Sequence, residues 1–365
     1  MNRFFLPLVF VFLLPFDVCA ADWTALFDRS HGWLNADGIF SIPLDGNDSL
    51  SSATSTTKTL FVFSDTMVGT ADSETRRYKD VGMISHSAAQ LEGHEPEPTN
   101  IRFVYGTNGD GSRSDMFGLH TWLQDGLVVD GTVYLIGLRP DKKDWKPVGL
   151  DLIEIPLGAD GWPDWTKFKR TPNIPILFRN EREHINFGIG VTDQSATDGF
   201  VYVYGYRDDL KTHRKSLVVA RVPKKSYPDF SRWTFWNGQD WLPEIESLLV
   251  PGAVLAERVS CELSVTPLPD GRFILIYSRD SIGPVLEYRL GPTPIGPFAS
   301  PIPFFETPEP KTLGQGIYTY NAKAHPHLSK PGMLLVSYNV NRMGGLPRNI
   351  DEYRPRFVTL PIPEQ

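Results

Sequence analysis

The chain has 365 residues, 36 of them Lys or Arg against 43 Asp or Glu, for a net charge of −7. An acidic excess this small, spread along the chain, excludes the basic face that nucleic acid requires, and 41% hydrophobic with 22% charged residues excludes a disordered chain. With 31 Gly, 31 Pro and 12% aromatic residues, the composition leans toward a turn-rich, all-β fold, in one large domain or two ordinary ones.

Residues 1–20 read as a secretory leader. Arg3 gives the positive start, Phe4 to Phe16 form an apolar run too short to span a bilayer, and Val18-Cys19-Ala20 offers small residues for cleavage before Ala21. A lipid anchor on Cys19 is the alternative, disfavoured by Val18 where a smaller residue is expected. The expectation is a secreted or periplasmic chain, monomeric and without stable membrane insertion. Its remaining cysteine, Cys261, lies among alternating strand residues and reads as a small buried hydrophobe, so no internal disulfide forms.

Five hairpins follow, each an apolar-alternating run, a turn rich in Asp, Gly or Pro, and a β-branched or aromatic run. They are Asp37–Leu44 with Thr59–Asp65, Leu127–Leu138, Phe187–Val191 with Gly199–Tyr206, Glu262–Ser278 and Ala324–Tyr338. A third apolar run trails each, at Val81–Leu91, Gly149–Pro156, Ser216–Val222, Val285–Leu290 and Arg356–Pro361. Units of about 70 residues suit a four-stranded blade with long loops. The expected fold is therefore a single five-bladed β-propeller over 21–365, with a two-domain β-sandwich as the alternative. Asp164-Trp-Thr-Lys-Phe and Ser231-Arg-Trp-Thr-Phe fall where outer fourth strands belong. Asp22-Trp-Thr-Ala-Leu-Phe27 has the same look, so the N-terminal segment is expected to close the ring as a strand of the last blade.

In such a ring the start of each inner strand and the end of the next share one face. The starts offer Asp37, Trp122, Asn186, Glu262, Asn321 and His325; the ends offer Asp65, Arg139, Arg207, Arg279, Asn339 and Asn341. Carboxylates for acid and base, Arg and Asn for hydroxyls, and an aromatic face for the ring are what a sugar site needs. A phosphate-binding Gly-rich loop, a zinc-binding Cys or His pair and a Gly-x-Ser-x-Gly elbow are missing from the sequence. Asp130-Gly131, Asp198-Gly199 and Asp270-Gly271 lie between strands and read as hairpin turns rather than calcium ligands. Asp37, Asp65 and Glu262 stand apart as candidate catalytic carboxylates, against structural roles in turn capping, loop-amide binding and pairing with Arg258 or Arg279.

The block from Gly32-Trp33-Leu34-Asn35-Ala36-Asp37-Gly38 to Leu60-Phe-Val-Phe-Ser-Asp65-Thr resembles the opening of a family of secreted, mostly bacterial five-bladed propellers. That family is long catalogued as a domain of unknown function, and its broader group includes endo-acting D-arabinan hydrolases. Tyr320-Asn-Ala-Lys-Ala-His325-Pro-His, Leu335-Val-Ser-Tyr-Asn-Val-Asn341 and Tyr353-Arg-Pro-Arg-Phe357 are similar to its last blade. More distantly the arrangement is similar to arabinanase, xylosidase, levansucrase and invertase propellers. The resemblance implies a glycoside hydrolase in which Asp37 matches the blade-one carboxylate and Glu262 the general acid. It also implies that a metal ion or halide could sit on the axis near His325; no other cofactor is expected. The expected substrate is a poly- or oligosaccharide, with a furanoside such as arabinan favoured. A non-catalytic carbohydrate-binding propeller is the main rival, and a lyase or transferase using His120 or His325 the lesser one.

Overall fold

The computed structural model describes residues 18–50, 58–118, 120–141, 143 and 146–364. The leader's charged start and apolar run lie outside the described residues.

Five antiparallel sheets follow one another along the chain. The first comprises Phe40–Pro43, Lys58–Phe63, Ser87–Glu92 and Ile101–Val104. The second comprises Trp122–Val129, Thr132–Pro140, Pro147–Pro156 and Lys169–Thr171. The third is larger, centred on Glu183–Asp193, Phe200–Asp209 and Arg214–Pro223. The fourth contains Ser264–Pro267, Phe273–Ser278, Val285–Gly291 and Ile302–Glu306, and the fifth Ile317–Ala324, Met333–Arg342 and Pro355–Pro361. Each is an up-and-down meander, because alternating apolar residues can be buried on both faces only when neighbours cover both. A further sheet of His31–Ala36, Thr66–Ala71 and Tyr78–Ile84 lies beside the first.

The turns follow from their residues. Asp130 and Gly131 both adopt positive φ between paired Val129 and Thr132, the backbone a two-residue primed turn requires. Asp198 and Asp270 each accept a hydrogen bond from the amide two residues on, at Phe200 and Arg272.

Apolar side chains fill the space between successive sheets, and the order closes on itself. One cluster joins the first and second sheets through Leu60, Val62, Leu123 and Leu135. Others join the second to the third, the third to the fourth and the fourth to the fifth. Phe61 and Phe63 pack with Leu335 and Phe357, which joins the fifth back to the first.

The N-terminal segment enters that last joint as a helix, Val18–Leu26, which corrects the expected strand. Trp23, Leu26 and Phe27 are spaced i, i+3, i+4, so a helical turn buries all three where alternation would expose one. Phe27 stacks on Phe357 at 5.5 Å, and the Phe357 amide donates to Thr24 Oγ1 at 3.0 Å. The two Trp-Thr segments also differ from expectation. Trp165–Lys167 and Phe230–Arg232 are 3-10 turns capped by Asp164 and Asp229, and the short outer strands start just after them.

The inner strands of the second, third and fifth sheets slip register, between Leu123 and Gly126, Phe187 and Gly190, and Tyr320 and Lys323. In the first and fourth the same point falls before the strand, at Asp37 and Glu262. Such bulges re-aim side chains out of the pleat.

Candidate active site

A cavity of about 590 Å³ opens where four of these interruptions converge, and Asp37, Gln124, Glu262 and Asn321 all line it. Asp65, Trp122, Tyr318, Tyr320, Asn341 and Tyr353 complete its floor and aromatic walls.

Asp37 sits on a loop tied to its neighbour by two backbone bonds, from the Asp37 amide to the Asp65 carbonyl (3.2 Å) and from the Ser64 amide to the Asp37 carbonyl (2.9 Å). Gly38 makes this crossing possible. Its φ is +62°, and a Cβ there would stand 2.6 Å from Ser64 Oγ. Tyr320 donates its hydroxyl to Asp37 Oδ2 at 2.5 Å, while Oδ1 is buried with no hydrogen-bond partner among the described residues. Asp65 Oδ1 accepts from Trp122 Nε1 at 2.8 Å, and Tyr353 donates to the Asp65 carbonyl at 2.9 Å. Glu262 Oε2 faces the Lys323 ammonium at 2.5 Å.

The three carboxyls have unlike environments. Burial first, then the charge of Asp65, pushes Asp37 up to about 8. Burial also raises Asp65, to about 6, against the Trp122 hydrogen bond that lowers it. Glu262 is raised by burial and opposed by Lys323.

Of the residues read from sequence, Asp37, Asp65, Glu262, Trp122, Asn321 and Asn341 share this one cavity. The other six do not line it. The Arg139 guanidinium is committed to Asp151 at 3.1 Å, Arg207 holds Glu183 bidentately at 2.7 Å, and Arg279 holds Glu287 at 2.6 Å. Asn186 and Asn339 are fully buried, Asn186 opposite Tyr206 in the sheet. His325 is fully buried, with Nδ1 on Ser41 Oγ (2.7 Å) and Nε2 on Ser337 Oγ (2.8 Å), and burial pushes it well below the usual imidazole range.

An axial metal does not fit these residues. Both His325 nitrogens are engaged, the Lys323 ammonium already stands at the inner strands, and no group of three His, Cys, Asp or Glu among the described residues could hold a metal ion. Cys261 lies on the cavity wall, half-buried, with its thiol pushed up by burial.

Cavity residues that escaped the sequence reading include Gln124, Tyr318, Tyr320, Tyr353 and Lys215. Tyr320 and Tyr353 stand in the blocks that carry the family resemblance. Their phenols are what the carboxylate loops need as donors, a signal that residue type alone did not give.

This chain belongs to the family described as Domain of unknown function (DUF5005), which matches residues 20–361. It is similar in structure to a candidate hydrolase from Bacteroides ovatus, with TM-score 0.70 and 18% identity over 92% of this chain and 88% of that one; the two share a fold. An endo-arabinase from Bacteroides thetaiotaomicron aligns at TM-score 0.47 and 13% identity, covering 92% of this chain and 98% of that one. A GH43_1 enzyme from Xanthomonas citri, solved with xylotriose, aligns at 0.46 and 13%, covering 93% of each. No curated protein sequence gives a significant match. Among the described residues, no helix is long and apolar enough to cross a membrane.

Proposed function

We propose that this chain is a secreted or periplasmic glycoside hydrolase acting on a poly- or oligosaccharide. Its body would be a monomeric five-bladed β-propeller over residues 21–365, left after removal of residues 1–20. The cyclic order of five meander sheets supports the propeller reading. The observation that carries the function is the meeting of three unequal carboxyls, Asp37, Asp65 and Glu262, in one open, aromatic-walled cavity of a size that holds sugar rings. The hydrolase description of the Bacteroides ovatus neighbour agrees with it.

Asp37, pushed up to about 8 by burial and by the charge of Asp65, is suited to carry a proton at neutral pH. It donates that proton to the glycosidic oxygen as the bond to the anomeric carbon breaks. An ionised carboxylate across the cavity then takes the proton of the attacking water, or itself attacks the anomeric carbon and is later displaced by water. This role for Asp37 reverses the partition expected from resemblance, because the charge of Asp65 adds to the rise at Asp37 whereas Lys323 opposes the rise at Glu262. Tyr320 donates to Oδ2 and so orients the carboxyl that lines the cavity. The Trp122 ring forms a wall for the sugar while its Nε1 steadies Asp65.

The test is reducing-end release from a panel of arabinans, fructans, xylans and galactans. Release by the wild type and its loss on Asp37→Asn supports the hydrolase. Binding of a glycan with no release by the wild type favours a carbohydrate-binding propeller instead.

A further inference from the structure

The least expected side chain at the site is Lys323. It is one of the largest fully buried side chains among the described residues, at 1% exposure, in a fold that has ample surface for lysine. The register slip between Tyr320 and Lys323 turns it from the fifth sheet toward the fourth, where its Nζ meets Glu262 Oε2 at 2.5 Å. Nζ also donates to the Asn321 carbonyl at 3.0 Å and lies 4.5 Å from the centre of the Phe40 ring, on the first sheet. Asn321 itself adopts φ +59°, a left-handed conformation that a non-glycine residue keeps only where the surroundings impose it. A small cavity below the site is lined by Lys323, Asp125, Asp48 and residues of all five sheets.

We propose that Lys323 is a positioning residue that holds Glu262 as the ionised carboxylate of the reaction, so that Glu262 rather than Asp65 is the partner of Asp37. A buried ammonium without an anion is strongly unfavourable, so the pair is kept as a unit and its charge is settled before substrate arrives. Asp65 has a neutral indole donor and no cation in ion-pair contact among the described residues, so nothing comparable fixes its charge. The charged and titratable groups around the pair are Asp37, Cys261 and Tyr206 on the Glu262 side and Asp125 and His325 on the Lys323 side. Burial holds the thiol, the phenol and the imidazole in their neutral forms, and Asp125 is itself raised to about 7. Lys323 is thus the nearest fixed charge that Glu262 faces. The inference rests on the hydrolase reading for its catalytic meaning but not for its measurement.

The measurement is the carboxyl titration of Glu262 by carbon NMR, assigned with Glu262→Gln, in the wild type, Lys323→Met and Lys323→Arg. Expected is a Glu262 midpoint below that of Asp37 in the wild type. In Lys323→Met it rises by a pH unit or more, and Lys323→Arg restores part of the difference. On a cleaved glycan, Lys323→Met loses about tenfold or more of kcat/KM near pH 5 and regains part of it at higher pH, whereas a purely structural defect lowers all pH values alike. An unmoved Glu262 midpoint in folded Lys323→Met overturns the proposal. Should Lys323→Met fail to fold, a wild-type Glu262 midpoint above that of Asp37 overturns it as well. The expected NMR change with no sugar released by any protein leaves the Lys323–Glu262 unit standing and removes the hydrolase reading.

Discussion

Two carboxyls of the cavity, Asp37 and Asp65, and those on the sheet faces obey opposite rules, while Glu262 with its Lys323 partner follows the rule of the faces. On the faces, Asp151, Glu183 and Glu287 are each neutralised by an arginine lying diagonally across a strand pair. Asp151 is wholly buried yet receives both Arg139 and Arg170, as well as the Asn173 amide. At the cavity, Asp37 receives a phenol and Asp65 an indole, and neither makes an ion pair among the described residues. Two buried carboxyls without a cation partner are expensive to keep, and their meeting in one cavity is the arrangement that the proposed chemistry would use.

The sharpest way to break this contrast is to neutralise one member of each class. Asp37→Asn should lower turnover by roughly 10²–10⁴-fold, measured as reducing-end release, with the fold intact by circular dichroism. Asp151→Ala should do the reverse. It leaves two arginines without their buried anion, so denaturant unfolding should show a loss of about 3–5 kcal/mol, while turnover per folded molecule stays unchanged.

A further contrast separates the classes by pH. Folded Asp37 keeps its proton up to about 8, whereas the unfolded chain releases it around the ordinary value of 3.8. The native state therefore binds more protons across that interval, and stability falls as pH rises through it, with a slope of about 1.4 kcal/mol per pH unit. Melting curves of the wild type and Asp37→Asn should converge near pH 4 and separate toward pH 8, with the variant the more stable. Smallest is Tyr320→Phe. The phenol lowers Asp37, so its loss should carry the alkaline limb of the activity profile to higher pH.

The hairpins were legible because period-two alternation and Asp-Gly turns are local signals. The convergence of Asp37, Asp65 and Glu262 was legible too, since it needs only strand order and direction. The N-terminal helix was not, because a single turn with Trp23, Leu26 and Phe27 carries too little periodicity to outweigh its likeness to two other Trp-Thr segments. The arginines failed for a different reason. Arg139, Arg207 and Arg279 stand near strand ends as expected, but their charge is consumed by a diagonal neighbour two residues out of register, and register between strands is set by the whole sheet. Lys323 stands within the Tyr320–His327 block of the sequence, yet only the bulge beside it turns the ammonium onto Glu262.

The central claim, that Asp37 carries the proton to the leaving oxygen, is tested most directly by leaving-group dependence. Aryl glycosides of the released sugar would be compared in the wild type and Asp37→Asn, across phenols of falling pKa. The account predicts that the variant recovers most of its lost kcat/KM on the most acidic phenol, which departs without protonation. Equal loss on every leaving group would contradict it.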